Sequence, residues 1–148
     1  MATVQKTSVI LSSLADWEEW LEIVKTKALS GDVWDYANPN MPKASLPAIT
    51  QPVIPRPADV KDGATRLSEL DTDEKEELSL LRYNYKYRLA TYERQQAAIG
   101  SLRLFIQETI TRHNLVYTFN YTSPYKILIT LQQQLAPIDR ARKLELAK

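Results

Sequence analysis

The 148 residues, 44% hydrophobic and 25% charged, are enough for one globular domain and too few for two full ones. Nineteen basic against eighteen acidic side chains leave a formal charge of +1, so the chain as a whole lacks the field needed for nonspecific binding to nucleic acid or membrane. The absence of cysteine excludes disulfides, thiolate nucleophiles and cysteine-bound zinc; one histidine excludes a two-histidine metal site, and three glycines exclude a phosphate-cradling loop.

The first segment, residues 1–12, is expected to be a flexible tail, and its short apolar patch at Val9 to Leu11 is far smaller than the hydrophobic region of a secretory signal. No stretch approaches the roughly 18 apolar residues of a membrane span, so a cytoplasmic protein is expected. A single helical domain is expected over 13–148, containing a proline-rich connector at 38–64.

Trp17, Trp20, Leu21, Val24 and Ala28 recur at the spacing of one buried helix face. Asp16 is placed to cap the amide of Glu19 in a capping box, and Gly31 to end the helix. A short turn or helix over Asp32 to Tyr36 carries Trp34. Six prolines between Pro39 and Pro57 then forbid helix and disfavour paired strands, which predicts a semi-rigid extended connector.

Asp71-Thr72-Asp73-Glu74 marks the start of the longest helix, along which Leu78, Leu81, Tyr85, Leu89, Tyr92 and Ile99 form an apolar stripe. Leu80, Tyr83 and Tyr87 point roughly 180° away, because each residue turns the direction by about 100°. Such a helix is either central and packed on both sides, which is the favoured expectation, or it offers its second face to another chain. Gly100 is a candidate kink, and Leu102, Ile106 and Ile110 continue the spacing.

Val116 to Tyr121 alternates like a strand but has no partner, and is expected to be an ordered connector. Within it Asn120-Tyr121-Thr122 matches a glycosylation sequon, best explained as a polar turn. Ser123-Pro124 restarts a helix as N-cap and first helical residue, with Leu128, Leu131 and Leu135 inside. Pro137 is expected to open a last helix over 138–148.

Candidate chemistry is sparse. An EF-hand starting at Asp71 requires glycine where Glu76 stands and glutamate where Arg82 stands, so the acids Asp71, Asp73, Glu74, Glu76 and Glu77 are explained by the helix dipole. His113 beside Arg112 suits a helix end and has no nucleophile partner. Residues 101–148 carry seven basic and three acidic side chains, a net +4, and Arg140, Arg142 and Lys143 are candidates for contact with RNA phosphates. Neither a cofactor nor a small-molecule substrate is implied, and no enzyme is expected.

Leu14-Ala15-Asp16-Trp17-Glu18-Glu19-Trp20 and Gly31-Asp32-Val33-Trp34-Asp35-Tyr36-Ala37-Asn38-Pro39 resemble the start of the Gag polyprotein of copia-type LTR retrotransposons, particularly fungal ones. Tyr92, Gln96, Ala97, Ile99, Ser101 and Leu102, then Ser123 to Leu131 and Leu135-Ala136-Pro137, are similar to the helical region downstream in the same proteins. Tyr92 and Tyr125 stand where many relatives have tryptophan. Without cysteine the CCHC zinc knuckle of such proteins cannot be present, so the resemblance implies the N-terminal capsid-like portion.

The expected fold is an all-α bundle of five or six helices, with Trp17, Trp20, Trp34, Leu78, Leu81, Tyr85, Tyr92, Ile106, Leu128 and Leu131 in its core. The resemblance implies a structural role in which copies associate, with Leu80, Tyr83 and Tyr87 as one contact, into virus-like particles around element RNA. The alternative expectation is a monomeric helical adaptor, a retained Gag fragment that binds a host protein or RNA.

Overall fold

The computed structural model describes the backbone of residues 9–146 and the side chains of residues 9–135. The fold is all-α. Its helices are α1 (Trp17–Ser30), α2 (Thr72–Glu108), α3 (Arg112–Leu115) and α4 (Pro124–Leu146), joined by short 3-10 turns. Among the described residues four helices stand where five or six are expected, because two of the anticipated breaks do not occur. Gly100 lies inside α2 without interrupting it, and Pro137 lies inside α4 rather than opening a helix of its own.

The chain divides into two compact units, residues 1–48 with 95–148, and residues 49–94. In the first, Trp17, Trp20, Val24 and Ala28 of α1 pack with Leu102 and Ile106 of α2 and with Ile127, Leu128, Leu131 and Leu135 of α4. Trp17 and Trp20 meet with ring centroids 5.5 Å apart and planes tilted by 42°. Burying large apolar side chains of this kind contributes roughly 1.5–3 kcal/mol each, so the facing rows of α1 and α4 are both major sources of cohesion here.

Of the tail expected over 1–12, residues 1–8 lie outside the described residues, and Leu11 departs from the expectation by being fully buried in the same core. Its N–H donates to the Thr109 carbonyl at 2.8 Å, and its carbonyl accepts from Thr111 N–H at 3.0 Å. The buried Asn114 adds its amide, which donates to the carbonyls of Leu11 and Ser12 at 3.4 Å each. An apolar side chain and a paired backbone together hold this segment in place.

Asp16 does not cap α1 at Glu19. Its Oδ2 instead accepts from Ser12 Oγ at 2.7 Å and from the N–H groups of Ser12 and Ser13 at 3.1 Å each. A 3-10 turn over Leu14–Asp16 brings the carboxylate back onto these donors, one turn earlier than the capping pattern anticipates.

The end of α1 also differs in its cause. Gly31 has an ordinary φ of −97°, and the left-handed residue is Asp32, at φ +58°. Val33 N–H bonds to Ala28 O at 2.9 Å and Asp32 N–H to Leu29 O at 3.1 Å, the paired bonds of a Schellman ending with aspartate at the position glycine usually takes. Gly31 serves close packing: a Cβ built there would stand 2.7 Å from the Cβ of Ala98.

Residues 116–121 are not strand-like. Val116–Thr118 form a 3-10 turn directly after α3, since the segment has no neighbour to pair with. Thr118 points inward, donating to Leu115 O at 2.8 Å and accepting from Gln107 Nε2 at 3.0 Å. Asn120 is exposed in the turn that follows. Beyond it α4 starts at Pro124, and Ile127 N–H bonds to Ser123 O at 3.1 Å.

In the second unit, residues 49–56 form neither helix nor strand, as their prolines dictate. Ala64, Leu70 and Leu78 make a small core with Val60 against it. The start of α2 is a reciprocal capping box: Glu74 N–H donates to Asp71 Oδ1 at 2.8 Å, and Asp71 N–H to Glu74 Oε1 at 2.9 Å.

Trp34, Leu81, Tyr85 and Tyr92, expected in the core, are only half-buried. Lys25 covers part of Trp34, its Nζ 6.0 Å from the ring centroid. The three residues of α2 lie on the correct face, but few elements cover that length of helix.

Candidate functional site

The reciprocal caps at Asp71 and Glu74 set the first turn of α2, and Leu78, buried against Ala64 and Leu70, sets its rotation. With that rotation fixed, the 100° step per residue carries the second apolar row away from the small core. Leu80, Tyr83 and Tyr87 are accordingly exposed to 66%, 73% and 75%. The expectation of a central helix packed on both sides is therefore corrected: among the described residues nothing covers this face.

Beside it lies a feature that the search for motifs passes over. A hollow of about 490 Å³ is lined by Leu67, Lys75, Leu78, Ser79, Arg82, Tyr83 and Lys86. Lys75, Arg82 and Lys86 are separated by seven and four residues, which sets them in one row along the helix. The signal was present in the sequence as that spacing, hidden by nearly balanced charge over residues 63–100. Asp73, Glu76 and Glu77 are exposed on the same stretch of helix, so the surface around the tyrosines offers charges of both signs.

The remaining candidates separate in space. His113 is exposed within the four-residue α3 rather than at the close of a long helix. The side chains of Arg140, Arg142 and Lys143 lie outside the described residues. Asp71 and Glu74 are occupied by the helix start, and no group of three or more metal-ligating side chains comes together among the described residues. No described helix is long and apolar enough to cross a membrane.

The chain matches no family model, no curated protein and no solved structure. The chain's own residues therefore carry what can be read of its role. Those that carry the Gag resemblance have a physical role: Trp17, Trp20, Val33 and Ala37 are buried together in one core, and Trp34 packs against it. Trp17 and Trp34 also border a second hollow of about 490 Å³, with Glu18, Glu22, Lys25, Asn38 and Asn40 at its rim. Its polar groups are of mixed sign. They single out no one ligand.

Asp16 has a lowered carboxyl pKa. The Ser12 hydroxyl, followed by the Ser12 and Ser13 amides, holds its carboxyl below the usual carboxylate range. Donors that hold an exposed helix entry in this way are structural and do not activate a nucleophile.

Proposed function

We propose that this chain is a structural, Gag-type capsid protein of a copia-type retrotransposon, whose copies self-associate through helix faces around element RNA in the cytoplasm, without catalysing a reaction. The observation that carries the proposal is the uncovered row Leu80, Tyr83 and Tyr87 on α2. A unit whose core cluster is Ala64, Leu70 and Leu78 gains from any partner that covers this row, because small cores alone are marginal. Tyrosine is suited to such a contact, combining a large apolar ring with a hydroxyl that stays satisfied at the rim.

A second copy is the partner this surface fits. Lys75, Arg82 and Lys86 accompany Asp73, Glu76 and Glu77 on the same helix, so one copy carries both halves of a charge-complementary contact. Many modest contacts, each weak alone, hold a shell when repeated. The resemblance of residues 14–39 to Gag, and the burial of Trp17, Trp20, Val33 and Ala37 in one core, support the same interpretation.

Light scattering against protein concentration tests it. Oligomers or particles that grow with concentration are expected for the wild-type chain, and they are expected to be lost when Tyr83 and Tyr87 are both replaced by alanine. A monomer at every concentration would favour the adaptor instead, with the same face docking a different protein.

A further inference from the structure

A depression of about 340 Å³ in the first unit is lined by Lys43, Tyr121, Tyr125, Lys126, Ile129 and Thr130. Two anchors build it. Tyr125 donates its hydroxyl to the Met41 carbonyl at 2.9 Å, which holds the turn bearing Lys43 beside the start of α4. Arg103 Nε donates to the Tyr121 carbonyl at 2.9 Å and fixes the approach to α4 from the other side.

The site is charged in a way that the overall +1 conceals. Among the described residues no carboxylate lines it, and residues 36–58 and 109–138, the two runs that supply its walls, contain no aspartate or glutamate. Lys43 and Lys126 are both exposed. The same depression is lined by the half-buried ring of Tyr121, which also packs against the core, and by the aliphatic side chain of Ile129. Cations beside an aromatic surface suit a ligand that is both anionic and planar, which describes a nucleotide better than an acidic peptide.

We infer that this depression takes one nucleotide of a single-stranded RNA, its base against Tyr121 and Ile129 and its flanking phosphates on Lys43 and Lys126. The inference deepens the proposed function and rests on it for the choice of RNA. It assigns the RNA contact to Lys43 and Lys126, on a patch where aromatic and basic side chains occur together, rather than to Arg140, Arg142 and Lys143.

Fluorescence anisotropy of a labelled oligouridine, titrated with the full chain over a salt series, tests the inference. Exposed lysines tolerate substitution, so Lys43→Ala with Lys126→Ala is expected to keep the wild-type circular dichroism while lowering the slope of log affinity against log salt by about 1.4, the contribution of two phosphates to a single strand. Tyr121→Ala is expected to weaken binding about tenfold through lost stacking. A polyglutamate peptide of equal length should displace the RNA far less well than unlabelled oligouridine does.

The inference is overturned if the wild-type chain does not bind, if the double lysine variant binds with an unchanged salt slope, or if polyglutamate competes as well as RNA. Binding lost only in Arg140→Ala, Arg142→Ala, Lys143→Ala would likewise overturn this site while sparing RNA association itself. Light scattering of the double lysine variant separates the two proposals: assembly retained with RNA binding lost supports the site, and assembly absent in the wild-type chain counts against the capsid role alone.

Discussion

The indole of Trp20 donates to the hydroxyl of Thr109 at 2.8 Å, joining α1 to the end of α2 across 89 residues of chain. The hydroxyl passes the bond on, donating to the Phe105 carbonyl at 2.9 Å. Trp20 is fully buried, so its N–H has no recourse to water. Thr109→Val, nearly the same shape, is expected to destabilise the chain by about 1–3 kcal/mol, the cost of a stranded buried donor. Thr109→Ser should restore most of the loss. Urea denaturation followed by tryptophan fluorescence reads both, and equal stability of the valine and wild-type chains would refute the role assigned to this bond.

Two glycines, one closing α1 and one inside α2, predict opposite signs. At Gly31 an added methyl meets Ala98, and Gly31→Ala is expected to cost about 1–3 kcal/mol through overpacking, with partial recovery when Ala98→Gly is combined with it. At Gly100 nothing lies within 4 Å of the added carbon, and Gly100→Ala should stabilise by roughly 0.5–1 kcal/mol through lower chain entropy in the unfolded state. The same denaturation assay ranks the two.

Asp16 introduces a pH dependence whose sign follows from its lowered pKa. The folded state holds the proton less tightly than the unfolded chain, so the stabilisation is complete above the ordinary value of 3.8 and is lost as pH falls through the depressed one. Asp16→Asn is expected to be less stable than wild type at neutral pH, with the gap closing in acid once the carboxyl is protonated. A gap that stays constant across an acid titration would show that the Ser12 and Ser13 contacts are not its source.

For the α2 face, Tyr83→Ala with Tyr87→Ala should leave helical content and urea stability within about 0.5 kcal/mol of wild type, since both side chains are exposed in the single chain. Self-association should need about tenfold more protein for every 1.4 kcal/mol of contact removed. Sedimentation velocity over a concentration series measures it. An unfolded variant would place the tyrosines in a core instead.

Much of the architecture was legible from local pattern. Trp17, Trp20, Val24 and Ala28 are buried as their spacing dictates, the Asp71 to Glu74 box opens α2, and Ser123-Pro124 opens α4 with Leu128, Leu131 and Leu135 inside. These features depend on residues within a turn or two of one another, where sequence distance and spatial distance agree. Leu11, Asn114 and Thr109 were not legible, because their partners lie on distant parts of the chain.

What the sequence determined by itself was the helical class, the proline-rich interruption and the existence of a two-faced helix, all consequences of backbone sterics and periodicity. Tertiary structure alone decided which face of that helix stays uncovered, why Gly31 tolerates no side chain, and that Lys43 meets Tyr121 and Lys126 across one depression. Periodicity specifies the direction in which a side chain points. Only packing specifies what stands opposite it.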